Sequence, residues 1–308
     1  MPKVSTTRGY KGRGEFVLRP LSGGRPFTLG NVTTINESIE VDRTSRPSFK
    51  DASGGELDVE EIVSSYTFEA TVDDLSPENI ALAFLGTSTE MESLAITDEE
   101  VNVWAGVQQA LKYIPDTDVA LTVEIDASDA HATDTAYAVG DTILEGGRAY
   151  LAVVAGTSDS TPPTFVTDLS TFTDGTVTWK DLGDPALTEG THFETTPHGL
   201  RVLASEADRF HEELPIPLLV DYTRNPQYVI QALVNSGQEF AIDWHGLNSI
   251  DSGNPIIGRY FRIKFSPTSG FSRHGGDDFA SLTLSGTVLA DENQVGQGIS
   301  KFVETLMI

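Results

Sequence analysis

The chain has 308 residues, 39% of them hydrophobic, and its 20 Lys and Arg stand against 46 Asp and Glu, a formal net charge of −26. Because such a field repels phosphate, a conventional nucleic-acid binder is disfavoured, and the absence of cysteine excludes disulfide frameworks, thiolate zinc sites and cysteine nucleophiles. The start lacks the apolar run of a signal peptide and no apolar stretch could span a bilayer, so we expect a soluble protein made inside the cell, without a membrane partner.

Residues 1–25 form a basic, glycine-rich start that contains six basic residues and one acid, Glu15. Glycine at this frequency disfavours a core of its own. We therefore predict an extended arm that either docks on the acidic surface of a second copy of the chain or stays disordered. The basic residues proposed for such docking are Arg8, Lys11, Arg13 and Arg19.

Two strands are predicted on either side of a long, charged loop. Residues 61–73 alternate between apolar and polar side chains, and residues 31–41 form a weaker partner of the same kind. The segment 42–58 between them is rich in turn formers and in charges of both signs. We predict a long hairpin loop there, of a length typical of functional or disordered loops.

The following segment predicts one helix. Ser76 is suited to cap it, Pro77 to occupy its first position, and Gly86 to end it. Further strands are predicted at 118–125, 199–203, 217–222, 259–265 and 279–289, with a hairpin of 228–234 and 239–245 across Asn235, Ser236 and Gly237. The predicted fold class is mostly β, an antiparallel barrel or sandwich with one flanking α-helix.

Residues 126–184 differ in composition from the rest and carry a net charge of −8. Short hairpins joined by Gly and Asp turns indicate a small β domain inserted into a main domain of residues 26–125 and 185–290. Its aromatic residues Tyr137, Tyr150, Phe165 and Trp179 have two interpretations. They form the core of the small domain, or Tyr137, Tyr150 and Trp179 form a platform on which sugars stack.

Motifs of catalysis and of metal binding were not found. The sequence contains no GxSxG, HExxH, P-loop or EF-hand pattern, and its six histidines show no ligand spacing. We therefore expect that the protein is not an enzyme and that it binds neither a cofactor nor a metal ion. The C-terminal tail, residues 291–308, carries apolar residues at near-helical spacing and is expected to pack on its own sheet or on a neighbour.

The order of these segments resembles a known family. A basic glycine-rich start, a strand, a turn-rich loop, the strand IVSSYTFEATVDD and the helix LSPENIALAFLG are similar to the N-terminal half of major tail tube proteins of long-tailed (siphovirus-type) bacteriophages. The stretches LLVDYTRNPQ, GQEFAIDWHGLNSIDSGNPIIGRYFRIKFSP and DDFASLTLSGTVLAD resemble the strands that end the barrel of that family. Together the similarity covers most of 14–125 and 187–291, and the insertion 126–184 departs from the minimal tube subunit.

The resemblance implies a structural virion protein, made in the host bacterial cytoplasm, that forms hexameric rings stacked into a tail tube. Implied partners are further copies of the chain, the tape measure, tail terminator and tail-tip proteins, and genomic DNA that passes without specific binding. The loop 42–58 would contact the next ring through Asp42, Arg43, Arg46, Lys50 and Asp51. The lumen would be acidic, with Glu61, Glu69, Asp73, Glu239 and Asp243 as candidate lining residues.

Two alternatives belong to other classes. The chain could be a virion decoration protein or adhesin whose inserted domain binds host-surface glycans, in which case Tyr137, Tyr150 and Trp179 would be exposed. It could also be an enzyme whose site is assembled from scattered residues, an interpretation that no sequence feature favours.

Overall fold

The computed structural model describes residues 10–50, 54–211, 213–250, 253–268, 270–271 and 279–307. The chain divides into two compact units. Unit 1 comprises residues 1–89 and 228–308, and unit 2 comprises residues 90–227.

Each unit is built mainly of strands. The first part of unit 1 contains β1 (Gly12–Pro20), β2 (Phe27–Thr28), β3 (Val32–Pro47), β4 (Glu56–Val72), α1 (Pro77–Ala83) and β5 (Thr87–Met91). Unit 2 contains β6 (Leu94–Val103), β7 (Gln108–Ala110), β8 (Thr122–Ile125), β9 (Ala136–Tyr137), β10 (Thr142–Glu145), β11 (Arg148–Val154), β12 (Gly156–Thr157), β13 (Thr171–Asp174), β14 (Val177–Gly183), β15 (Ala186–Leu187), β16 (Phe193–Thr196), β17 (Gly199–Val202), a 3-10 turn (Ala204–Glu206) and β18 (Ile216–Arg224). The chain then returns through β19 (Gln227–Gln231) to β20 (Glu239–Asn248), β21 (Asn254–Ser266), β22 (Leu282–Val288) and β23 (Val303–Met307).

Unit 1 is organised around one antiparallel sheet of strand order β2-β1-β20-β21-β22-β4-β3, with β23 also paired to β21. One face of the sheet packs with α1 on an apolar core that includes Leu18, Phe68, Ile242, Ile263 and Leu284. The mostly β, antiparallel class with one α-helix is therefore confirmed for the described residues. The sheet ends at β2 and β3, so these strands do not close into a barrel.

The predicted helix is confirmed, with a different stop. Ser76 accepts a hydrogen bond from the Asn79 backbone N–H at its side-chain oxygen (3.1 Å), and Pro77 begins the helix. At the other end Leu85, one residue before the predicted stop at Gly86, adopts a left-handed conformation with φ of 46°. Gly86 is required for another reason, because a Cβ there would lie 2.2 Å from the backbone oxygen of Gln231.

The glycine-rich start folds into β1, which pairs with β20 along its whole length. The indole of Trp244 lies over the backbone of three strands: a Cβ on Gly12, Gly246 or Gly258 would come within 3.1, 2.4 or 3.3 Å of its side chain. Phe16 stacks against the same indole at 5.9 Å between ring centroids. The glycines therefore allow close packing. Residues 12–20 are extended, as predicted, but they pair within their own chain, and the alternative of a disordered arm is wrong for them.

The predicted hairpin of 228–234 with 239–245 is also wrong. β19 pairs with β5, whereas β20 pairs with β1 and β21. The connection between them is held by the end of the helix, since Leu233 and Asn235 donate backbone hydrogen bonds to Phe84 and Leu85 (2.9 Å each). The Asn-Ser-Gly sequence forms no turn here, and the Asn235 backbone N–H bonds to the Leu85 oxygen instead of across a hairpin.

The C-terminal tail packs on its own sheet. Val303 to Met307 form β23, which pairs with β21 from Tyr260 to Ile256. Phe302 and Val303 pack against the unit 1 core. The near-helical spacing of this segment thus occurs in a strand, and the expected packing on the parent sheet is confirmed.

Unit 2 contains two apolar cores on the two faces of the sheet β10-β11-β14-β13. Tyr150 and Trp179 belong to one core, and Leu151 and Leu182 belong to the other, which they share with residues of β6, β8, β17 and β18. Short hairpins in 126–184 are therefore confirmed. The boundaries predicted at 125/126 and 184/185 fall inside unit 2, because the back of the small sheet packs with residues 90–125 and 185–227.

We predict that Gly14→Ala lowers the free energy of unfolding by about 1–3 kcal/mol. An added Cβ would lie 2.2 Å from the backbone oxygen of His245, which cannot move without disturbing the pairing of β1 and β20. Urea denaturation measures the change. Gly270→Ala is the control, because a Cβ there meets no atom within 4 Å; equal stability of the two variants would contradict the prediction.

Candidate assembly surfaces and polar clusters

β3 and β4 continue as a two-stranded ribbon beyond the part of the sheet that covers the core. The pairing runs from Val41 opposite Val63 to Pro47 opposite Glu56, and the side chains along this length are exposed. The prediction of a loop over 42–58 is therefore wrong for 42–47 and 56–58, and only residues 48–55 connect the strands. Cross-strand hydrogen bonds satisfy the backbone where side chains cannot build a core.

The two faces of this ribbon differ in polarity. One face carries the apolar side chains of Ile39, Val41, Val59 and Val63, whose exposed fractions of 39–57% place them outside the unit 1 core. Ser45 and the ion-paired Arg43 and Glu61 lie among them on the same face. The opposite face is dominated by polar and charged side chains: Glu40, Asp42, Thr44, Arg46, Asp58 and Glu60, with Ile62 among them. We call the first set the apolar face of the ribbon.

The residues predicted to contact a neighbouring ring lie along the ribbon and at its tip. Arg43 forms ion pairs with Glu56 (2.5 Å) and Glu61 (3.8 Å). Asp42 and Arg46 lie on the opposite face, and Lys50 lies exposed in the turn. Asp51 is outside the described residues.

Three of the five lumen candidates share the polar face of the unit 1 sheet. Glu239 forms two hydrogen bonds with the Arg262 guanidinium (2.7 and 2.8 Å), and Asp243 pairs with Arg19 at 2.6 Å. Glu69, half-buried in β4, accepts from the Ser285 hydroxyl at 3.4 Å. These carboxylates are therefore brought to one surface, but Glu239 and Asp243 are neutralised by arginine.

The other two candidates lie apart from that group. Glu61 is on the ribbon beside Arg43. Asp73 follows the end of β4 and accepts a hydrogen bond from the Asn31 side-chain amide (2.8 Å).

Hydrogen bonds from Arg262 hold the pKa of Glu239 below its usual range, and the same contact raises the pKa of Arg262. The polar face is thus a surface of mixed charge.

The basic N-terminal segment makes contacts within its own chain. The Lys11 backbone N–H donates to Asn248 Oδ1 (3.1 Å), and Arg19 pairs with Asp243. Arg13 lies in β1, and Arg8 is outside the described residues. Docking of this segment on a second copy is therefore not needed to order residues 12–20.

The aromatic residues of the small sheet form a core. Trp179 is fully buried and Tyr150 is 1% exposed, while Tyr137 is half-buried. The Tyr150 hydroxyl donates to the Val166 backbone oxygen (2.9 Å) and Trp179 Nε1 donates to Asp174 at 3.4 Å. The core interpretation is confirmed, and the sugar platform is wrong for Tyr150 and Trp179 because no ligand can stack on buried rings.

Two buried carboxylates in this region were missed by sequence reasoning. Asp181 accepts two hydrogen bonds from Arg148 (3.1 and 2.7 Å) and one each from the backbone N–H groups of Leu169 and Gly183 (2.9 Å each). Asp174 contacts His131 Nε2 at 2.8 Å, and both side chains are almost fully buried. The only sequence signal was an acid between Trp179 and Leu182 in an apolar strand.

A third missed cluster lies beside β1 and β3. Both Tyr66 and Tyr260 donate their hydroxyl hydrogen bonds to the Glu37 carboxylate. Burial, together with this carboxylate, raises the pKa of both tyrosines. These residues come from three strands of different sequence positions, so no local pattern could have grouped them.

Among the described residues, no group of three or more His, Asp and Glu is arranged to hold a metal ion. The same residues include no helix with the length and hydrophobicity that crossing a bilayer requires.

The comparisons with known proteins identify a family. The chain belongs to the family described as Protein of unknown function UCP028589, whose model matches residues 9–149 and 153–306. A search of curated proteins found no matching sequence. The matched ranges run through both units and include nearly all of 126–184, so the small sheet is part of the family pattern.

We predict that Asp181→Asn destabilises unit 2 by about 3–5 kcal/mol, because it leaves the Arg148 charge without its buried partner. Hydrogen exchange of the β11 and β14 amides measures the local loss of protection. Glu124→Gln is the control, since Glu124 is exposed. Unchanged protection in Asp181→Asn would mean that Asp181 does not stabilise the sheet.

We predict that Arg262→Gln raises the pKa of Glu239. Because the folded-state pKa of Glu239 lies below its unfolded value, the ion pair stabilises the fold at neutral pH, and this contribution is lost as the pH falls through the folded pKa. An NMR titration of the Glu239 carboxyl measures the shift. Arg259→Gln is the control, because Arg259 pairs with Glu304 instead; an equal shift in both variants would refute the assignment.

Proposed function

We propose that this chain is a structural protein that assembles with copies of itself, as rings stacked into the tail tube of a long-tailed bacteriophage. The observation that carries the proposal is the ribbon of β3 and β4, which extends an apolar face beyond the core of its own unit. The resemblance of residues 14–125 and 187–291 to major tail tube proteins supplies the particular architecture.

The ribbon is expected to be only marginally stable on its own. Two-stranded hairpins are marginally stable in water unless a further surface covers them. Val41, Val59 and Val63 on its apolar face would lose water if the ribbon lay against a second copy of the chain, and burial of each contributes about 1.5–3 kcal/mol at most. An assembly contact would therefore stabilise the ribbon and join the subunits at once.

The polar face of the unit 1 sheet suits the wall of a conduit. Its side chains include Glu69, Glu239 and Asp243, and the charges of the last two are balanced by arginines. A wall whose charges are paired with one another makes few attractive contacts with the phosphates of DNA. Each attractive contact of that kind would hold the DNA duplex in place. Binding DNA tightly would oppose its passage.

The remaining parts of the proposal follow from the tube. We place the protein in the virion, after synthesis in the host bacterial cytoplasm, with tape measure, tail terminator and tail-tip proteins as partners. The tube subunit would act without catalysis and without a cofactor. The tail-tube type of fold belongs to this proposal, and it requires neighbouring copies to complete what the open sheet leaves unpaired.

We predict that Val59→Lys abolishes assembly and leaves the subunit folded, because it places a charge on the apolar face of a ribbon that contributes nothing to the core. Negative-stain electron microscopy of concentrated protein, with and without purified tail-tip complexes, measures assembly. The wild-type chain is expected to form six-fold rings or hollow tubes.

Thr44→Lys is the matched control, because it adds the same charge to the opposite face of the same ribbon. Tubes formed by Thr44→Lys but not by Val59→Lys would support docking through the apolar face. Discrete particles from the wild-type chain under both conditions would refute the tube proposal. Equal assembly by both variants would refute the role of the ribbon.

A further inference from the structure

We infer that unit 2 contains a binding site for neutral carbohydrate in a cavity of 740 Å³ beside β9 and β10. The cavity is more than twice the volume of the 310 Å³ cavity beside Trp244 in unit 1. It lies within unit 2 and uses none of the ribbon, so the inference is independent of the tube proposal.

The walls of the cavity are fixed before any ligand enters. The Thr142 hydroxyl donates to the Asp126 backbone oxygen (2.5 Å), and the Leu144 backbone N–H donates to the Asp129 backbone oxygen (2.7 Å). The Ala138 backbone N–H donates to Asp141 Oδ2 at 2.7 Å. A site whose loops are already hydrogen-bonded costs little ordering entropy on binding.

The lining chemistry indicates the class of ligand. Three acidic residues (Asp126, Asp129 and Asp141) and three hydroxyl-bearing residues (Ser128, Thr135 and Thr142) line the cavity. Within the described part of the chain, the carboxylates of Asp126 and Asp129 form no hydrogen bond or ion pair, so they remain available as acceptors for ligand hydroxyls. No lining residue is basic, which disfavours phosphorylated and other anionic ligands.

One aromatic ring completes the site. Tyr137 lines the cavity and is held in place by its hydroxyl, which accepts from the Ala132 backbone N–H at 2.9 Å. Its ring stacks on His131 (6.4 Å) and contacts Trp179 edge to face (4.8 Å), yet the side chain remains half-buried. A fixed ring beside several acceptors matches the apolar faces and hydroxyl edges of a sugar.

This site differs from the platform predicted from the sequence. Tyr150 and Trp179 are buried and cannot contact a ligand, and Tyr137 alone of that set reaches the cavity. In the sequence, Asp126, Asp129 and Asp141 contribute only to the net charge of residues 126–184. In the structure these three acids line the same cavity as Tyr137.

The test is saturation-transfer NMR on the full-length chain with maltohexaose, cellohexaose, chitohexaose and mannohexaose as probes. Titration calorimetry of the probe with the strongest signal then compares wild type, Asp129→Ala, Tyr137→Leu and Glu124→Ala. We expect Asp129→Ala and Tyr137→Leu each to weaken binding at least about tenfold, the loss typical of a hydrogen bond to a charged group. Glu124→Ala, exposed and outside the cavity, is expected to bind like wild type.

Three results would overturn the inference. The first is the absence of a transfer signal with any of the probes. The second is an equal loss of binding in Glu124→Ala, or no loss in Asp129→Ala. The third is calcium binding by chelator-treated wild type that Asp129→Ala abolishes while no probe binds, which would make the cavity a cation site. Circular dichroism of Tyr137→Leu separates lost folding from lost binding, and Asp129→Ala provides a variant that alters an exposed side chain only.

Discussion

The packing of Trp244 on bare backbone is the interaction on which unit 1 depends. Gly12, Gly246 and Gly258 belong to three neighbouring strands, and each leaves the space that the indole occupies. Phe16 closes the arrangement by stacking on the same ring. Because the indole spans β1, β20 and β21, it joins the N-terminal segment to the C-terminal half of the chain, and the Arg19 to Asp243 ion pair joins β1 to β20 as well.

Several arginines of this protein form ion pairs with carboxylates of their own unit. A net charge of −26 would repel itself within a compact chain, yet Arg19, Arg148 and Arg262 each contact a carboxylate of their own unit. At Asp181 the pairing is buried and adds backbone donors, so it orders the strands around it. On the polar face of unit 1 the ion pairs are at the surface, where they neutralise the charges of the paired carboxylates.

The sequence predicted elements whose signals are local. The cap at Ser76, the alternation along β4 and the antiparallel β class were all recovered. The ribbon was not, because residues 42–47 gain their strand conformation from a partner strand and carry no apolar alternation. β1 was also missed, because its glycines indicate disorder in the sequence. Only the structure shows that they leave room for Trp244. Of the five lumen candidates, Glu69, Glu239 and Asp243 share the polar face of the unit 1 sheet, whereas Glu61 and Asp73 do not. The arginine partners of Glu239 and Asp243 lie in other strands and could not be inferred from the sequence.

The order in which the two units become complete follows from how the chain divides between them. Unit 2 is one continuous segment, so all its partners exist once residue 227 has been synthesised. Unit 1 needs contacts such as Arg19 with Asp243, 224 residues apart, and its sheet also includes β23 at Val303–Met307. Contacts of such sequence separation form slowly and late. We therefore expect unit 2 to fold first during translation and the sheet from which the ribbon extends to be finished only when synthesis is nearly over. In the proposed assembly, this order would keep a nascent subunit from joining its neighbours too soon.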